Sequence, residues 1–113
     1  MFKEQKNLVD FIQQRNALAL LLALHHLSNP HWNTVEDYCL NELGLESFSW
    51  QSYDKMCKQL VRMGLAIRVK IRTNAQDYRL NDYGHQVVIT IEEALDKINA
   101  FSSVLKNHTS HGS

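Results

Sequence analysis

At Met63-Gly64-Leu65 the apolar period of the chain changes from 3.6 to 2, and this change constrains the fold more than any other feature. Before it, Tyr53, Met56, Cys57 and Leu60, with Val61 at the flank, form the apolar stripe of a helix that Ser49 caps and Gly64 closes. The opposite face of that helix is polar throughout, because Gln51, Ser52, Lys55, Lys58, Gln59 and Arg62 fall together at about 100° per residue. After Gly64, Ile67, Val69 and Ile71 alternate with Arg68, Lys70 and Arg72, the pattern of a half-buried strand. Thr73-Asn74-Ala75-Gln76 reads as a turn and Asp77-Tyr78-Arg79-Leu80 as the returning strand, so a helix feeds directly into a β-hairpin.

The same stretch gathers the cations. Lys55, Lys58, Arg62, Arg68, Lys70, Arg72 and Arg79 are seven bases against one acid, Asp77, a net of +6. The whole chain is neutral, so attraction to a polyanion has to come from such segregation. Residues 1–54 carry seven acids and three bases, and residues 80–113 carry four acids and two bases. Alternation sets Arg68, Lys70 and Arg72 on one strand face at intervals of about 6.5–7 Å, which suits phosphates. Gln51, Ser52 and Lys55 at the start of the helix suit the mixed donors and acceptors of base edges. A solvated surface, or a strand edge guarded by cations, carries the same pattern.

A chain of 113 residues, 44% apolar and 21% charged, has the composition of one globular domain. Leu8, Phe11, Ile12, Leu18, Ala19 and Leu22 recur at helical spacing between Lys3 and Leu27, as one helix or as two meeting near Arg15-Asn16. Pro30, with Ser28, Asn29 and Asn33 around it, marks the first break. Asn33 is expected to cap a helix from Val35 to Leu43, with Glu36 completing a capping box and Gly44 supplying a left-handed stop. Asn81 is expected to cap the last helix, in which Val88, Ile91, Leu95, Ile98, Ser102 and Leu105 step by 3, 4, 3, 4 and 3. That seam, widened by Phe101, exceeds what a small core needs to cover. Val88, Ile91, Leu95, Ile98, Phe101 and Leu105 are therefore the expected interface of a homodimer, with Phe2, Leu8, Phe11 and Ile12 as further apolar residues lacking an evident partner. Residues 107–113 lack periodicity and are expected to form a flexible tail.

The order helix, hairpin, helix from Ser49 onward resembles winged helix-turn-helix regulators of the MarR and PadR type. Leu60-Val61-Arg62-Met63-Gly64-Leu65 is similar to the end of a recognition helix entering a wing, and Tyr78-Arg79-Leu80-Asn81-Asp82-Tyr83-Gly84 to the wing's return strand and the cap of a dimer helix. The turn from Leu45 to Tyr53 is longer, and the wing shorter, than in that family. The resemblance implies a mainly α fold with a small β-hairpin, a winged helix with long N- and C-terminal helices. It covers roughly residues 16–105 and implies a recognition helix at about 49–63, a wing at about 66–80 and a dimerisation helix at about 82–106, within the one domain over residues 1–106 that length and composition lead us to expect. It also implies a homodimer that binds palindromic double-stranded DNA as a transcriptional regulator, in the cytoplasmic compartment that the chain's cysteines point to. Ser49, Gln51, Ser52, Lys55, Lys58, Gln59, Arg62, Arg68, Lys70, Arg72 and Arg79 are the expected DNA-binding residues. Two alternatives share the pattern. One is a plasmid or phage DNA-segregation or DNA-organising factor; the other is a winged-helix protein-interaction module using Trp32, Phe48 and Trp50.

Other classes find little support. Cys39 and Cys57 are far apart and lie at apolar helical positions, so they read as reduced core thiols in a cytosolic chain. Of six histidines, His25, His26 and His31 cluster near Pro30, but no carboxylate or cysteine stands beside them at ligand spacing, and no metal or cofactor is expected. There is no glycine-rich phosphate loop, nucleophile elbow or paired acid, so an enzyme is not expected. The run Ala17 to Leu24 is too short to span a bilayer. Nothing in the pattern names a small-molecule effector or a protein partner.

Overall fold

The computed structural model describes the backbone of residues 3–72 and 75–111 and the side chains of residues 6–71 and 76–100. It is mainly helical with one antiparallel hairpin. In order the elements are α1 (Lys3–Ile12), α2 (Ala17–His26), α3 (Trp32–Asp37) continued by a π turn (Tyr38–Glu42), α4 (Trp50–Arg62), β1 (Ala66–Arg72), β2 (Ala75–Leu80) and α5 (Asp82–His111). No described helix is long and apolar enough to cross a membrane.

Helix α2 is the centre. Ala17, Leu20, Leu21, Ala23 and Leu24 are all buried, and a segment apolar on nearly every side has no face to offer water. It touches α1, α3, the π turn, β2 and α5. Asn16, at φ 68°, separates it from α1 in a left-handed conformation that asparagine tolerates, and Asn16 Nδ2 donates to the Ser47 carbonyl at 3.1 Å. The first helical stretch is therefore two segments. Phe11 is not without a partner as expected, because the kink at Asn16 folds α1 back so that Phe11 is buried in the core and Leu8 packs against it, while Ile12 stays exposed.

The second turn departs from its expected cap. Helix α3 begins at Trp32, ahead of Asn33, and the Thr34 hydroxyl supplies the cap by accepting from His31 N and donating to the His31 carbonyl, both at 3.0 Å. Asn33 is exposed on the first turn and caps nothing there. Gly44 does take the left-handed position, at φ 72°. Trp32 stacks on Phe48 and Tyr53, with ring centroids 5.8 and 5.2 Å away, and Tyr53 meets Tyr78 at 6.0 Å. Phe48 thus joins the core with Trp32 packed half-buried against it, and of the three aromatics expected to form a patch Trp50 alone is exposed, at 51%.

Helix α4 follows the expected pattern. Ser49 caps it by accepting from Ser52 N at 3.1 Å, its stripe Tyr53, Met56, Cys57 and Leu60 is buried, and Gly64 at φ 76° ends the turn. Both thiols are buried and free; burial pushes Cys39 up to about 11 and Cys57 higher still.

The hairpin is the main correction. Ile67, Val69 and Ile71 were expected to point inward and the cations outward. Cross-strand partners share a face, and the register pairs Ala66 with Leu80, Arg68 with Tyr78 and Lys70 with Gln76. Ala66, Tyr78 and Leu80 are buried, so Arg68 and Lys70 lie on the same strand face as these core residues while remaining exposed themselves, and Ile67 and Ile71 on the other face are left 50% and 52% exposed. Parity is set by β2: Tyr78 and Leu80 both reach the core, register dictates β1, and the β1 aliphatics take the face that remains. The return strand also starts earlier than expected, at Ala75, with an irregularity between Lys70 and Arg72.

Asn81 caps α5 as expected. Its Oδ1 accepts from Gly84 N at 2.8 Å, while its Nδ2 donates to the Gly64 carbonyl at 2.7 Å. Val88, expected at a dimer interface, is fully buried in the domain's own core, and Ile91 is half-buried against it, because the first turns of α5 lie on α2 and β2. From Glu93 to Ala100 every residue is exposed, and a helix of 30 residues, about 45 Å long, projects from a molecule measuring 63 × 35 × 22 Å. The helix also continues to His111, past its expected end at 106. The side chains of Phe101 and Leu105 lie outside the described residues.

Candidate nucleic-acid interface

The polar face of α4 is set by the burial of its opposite stripe. Gln51, Lys55, Lys58 and Arg62 are exposed along its centre, with Ser52 and Gln59 half-buried at one flank. Toward the hairpin, Asp54 joins the two elements. Its carboxylate lies 2.8 Å from Lys58 Nζ and accepts from the Tyr78 hydroxyl at 3.3 Å, and Tyr78 stands opposite Arg68 across the strands. Hydrogen bonding to Asp54, then its charge, raises Lys58 above the ordinary lysine range, and Arg68 opposes this. Lys58 and Arg68 are therefore electrostatic neighbours, one on the helix and one on the strand. Asp77, the acid of the basic stretch, is buried and pairs with Val69 on the other face of the hairpin, away from Arg68 and Lys70.

On the other flank α1 forms a wall. Asn7, Asp10, Phe11 and Gln14 face Lys55, Gln59, Arg62 and Met63 across an open groove of about 500 Å³. Gln14 Nε2 donates to Gln59 Oε1 at 2.8 Å, so Gln59 is held by the domain itself. Asp10 brings a carboxylate to the edge of the cationic face.

The expected residues divide accordingly. Gln51, Lys55, Lys58, Arg62, Arg68 and Lys70, all exposed, share a side made of the outer face of α4 and the β1 face that pairs with Tyr78 and Gln76. Ser49 and Ser52 are engaged in capping, with their hydroxyls 3.0 Å apart. Arg79 pairs with Ile67 on the opposite face of the hairpin, and its Nε is buried without a hydrogen-bond partner. The Arg72 side chain lies outside the described residues. Strand alternation alone could not separate Arg79 from Arg68, because the separation follows from register.

A second cluster escaped sequence reasoning. His25 and His26, at the end of α2, meet His85 and Glu92 of α5. His25 Nδ1 lies 2.9 Å from His85 Nδ1, His25 Nε2 lies 3.7 Å from one Glu92 oxygen, and His26 Nε2 lies 2.8 Å from the other. Burial, with His26 and His85 adding to it and Glu92 opposing, lowers His25 below the ordinary histidine range. The carboxylate missing along the chain is supplied from 66 residues away. The seven-residue spacing of His85 and Glu92 on one helix face was its only trace in the sequence.

No protein-family model, no curated protein and no solved structure matches this chain.

Proposed function

We propose that this chain is a DNA-binding protein of winged-helix architecture, with α4 as the groove-reading helix and the β1–β2 hairpin as its wing. The observation that carries this reading is the continuity of the α4 face with Arg68 and Lys70 through Asp54 and Tyr78. A helix presenting Gln51 and Lys55 suits the donors and acceptors of the major groove, while Arg62, Arg68 and Lys70 suit the flanking phosphates. Lys58 would exchange Asp54 for a phosphate on binding. The projecting part of α5, with exposed Leu95 and Ile98, supports a homodimer that sets two such helices about 34 Å apart on a palindromic site, as a transcriptional regulator requires.

The test is duplex affinity against salt. With the four cations Lys58, Arg62, Arg68 and Lys70 on phosphates, log K should fall with log[salt] at a slope of about −3.6 for one chain and about −7 for the dimer. Selection from a randomised duplex pool should then return a palindrome. Affinity that ignores salt, or no binding at low salt, removes the DNA reading. Such an outcome favours a protein-interaction module, for which exposed Ile67, Ile71 and Trp50 offer an apolar surface.

A further inference from the structure

We propose that His25, His26 and Glu92 bind a divalent transition-metal ion, Zn²⁺ foremost, with His85 as the group that orients His25. The ligand atoms, one imidazole nitrogen from each histidine and a carboxylate oxygen, all lie within 4.8 Å of one another. Ligands at about 2.1 Å around a tetrahedral ion stand ~3.4 Å apart; the contacts of 2.8 and 3.7 Å, to the two oxygens of Glu92, bracket that spacing, and the widest separation in the set, within 4.8 Å, closes to it by rotation of partly exposed side chains. Two imidazoles and one carboxylate are the donor set of an open zinc site, whose fourth position takes water. Here that position faces solvent, because His26 is exposed and Glu92 half-exposed. Imidazole donors argue against Mg²⁺ and Ca²⁺, which prefer oxygen.

The remaining histidine fits the same chemistry. A metal on Nε2 of His25 leaves its proton on Nδ1, and that N–H points at His85 Nδ1, 2.9 Å away, which can accept it. Metal-bound histidines regularly donate their second ring nitrogen in this way, which fixes tautomer and ring orientation. The ion would pin the last turn of α2 to α5 at Glu92, next to Glu93, where α5 leaves the body. The site stands on these two helices alone and does not depend on the reading of α4.

The test is titration of chelator-treated full-length protein with Zn²⁺, and with Co²⁺ as a spectroscopic substitute. One ion per chain should bind at micromolar concentration or below, with a visible Co²⁺ spectrum of tetrahedral type and a raised thermal midpoint. His26→Ala and Glu92→Gln should each weaken binding at least about 100-fold, and His85→Ala by about 10- to 100-fold. Glu92→Gln keeps the shape and hydrogen-bonding capacity of the side chain, so it decides the matter if the alanine variant misfolds. His31→Ala and the joint change His108→Ala with His111→Ala should bind as the parent does. Binding that survives Glu92→Gln, or that is lost with His108 and His111, overturns the assignment, as does affinity no better than millimolar.

Discussion

Gln14 donates its side-chain amide to the side-chain carbonyl of Gln59 at 2.8 Å, tying the segment between α1 and α2 to the outer face of α4 across 45 positions of sequence. The contact removes Gln59 from the set of side chains free to address another molecule and makes α1 one wall of the groove beside Lys55 and Arg62. A part-buried hydrogen bond between neutral groups contributes about 0.5–1.5 kcal/mol. Gln14→Ala and Gln59→Ala should therefore each lower stability by that amount, with the double variant costing clearly less than their sum in urea titrations. On DNA, Gln59→Ala should leave sequence preference intact, whereas Gln51→Ala should flatten it. Equal loss of preference from both would mean that Gln59 leaves Gln14 to read bases.

The hairpin faces give a sharper test. Arg68 and Lys70 lie on the side continuous with α4, and Arg79 lies on the other, although all three belong to one basic run. Arg68→Ala and Lys70→Ala should each reduce the slope of log K against log[salt] by about 0.9 per bound chain, the value of one phosphate contact, and so by about 1.8 for a dimer. Arg79→Ala should leave that slope unchanged. A slope reduced by Arg79→Ala but not by Arg68→Ala would put the nucleic acid on the Ile67 face.

The junction of β2 with α5 depends on Asn81 and Gly84. Asn81→Ala loses both the N-cap and the donor to Gly64, and should cost about 1–2 kcal/mol in urea denaturation. Asn81→Asp retains the cap acceptor and should recover part of this. A Cβ on Gly84 would overlap the Leu65 carbonyl oxygen and approach Leu80 Cβ and Cδ2 to 3.1 Å. Alanine's helix preference is worth at most ~1 kcal/mol, and a backbone oxygen cannot rotate away, so Gly84→Ala should destabilise by about 1–3 kcal/mol despite lying in a helix. A neutral or stabilising Gly84→Ala would contradict this packing.

Thiol chemistry reports on the core. Cys39 and Cys57 are both fully buried, and burial, which disfavours the thiolate, pushes the Cys39 thiol up to about 11. A thiol reagent should label neither at neutral pH except through opening of the fold, and raising the pH to 9 should speed labelling far less than it does for a free thiol. Labelling of native Cys57 as fast as in denaturant would show that the inner stripe of α4 is not packed.

Legibility in the sequence followed the range of the determining contacts. Ser49, Gly64 and Asn81 act within a few residues, so the bounds of α4 and the start of α5 could be read from the chain. The π turn at Tyr38–Glu42 has no such local mark. The inward face of β1 is decided by Tyr78 and Leu80 on the partner strand, which alternation in β1 alone cannot reveal. Likewise Glu92 and His85 join His25 and His26 only because α5 crosses the end of α2. Val88 and Leu95 occupy equivalent places in one apolar seam, and what distinguishes them is where α2 ends beneath α5.

That difference along α5 bears on the proposed homodimer. The first turns of the helix, with Val88, complete the domain's own core, while Leu95 and Ile98 stand 37% and 58% exposed on a segment whose every residue from Glu93 to Ala100 is exposed. A projecting amphipathic helix leaves apolar area in water that a second copy of the same helix would cover. Leu95→Glu and Ile98→Glu should therefore convert a sedimenting dimer to monomer with helical content retained, whereas Val88→Glu should unfold the domain, since it buries an unpaired charge. If the two reading helices bind together, loss of the dimer should reduce duplex affinity by about 100-fold or more while leaving single half-site binding little changed. Sedimentation of the parent protein as a monomer at micromolar concentration would remove the dimer, and with it the reason for a palindromic site; an Ile98→Glu variant that stays dimeric would move the interface away from this seam.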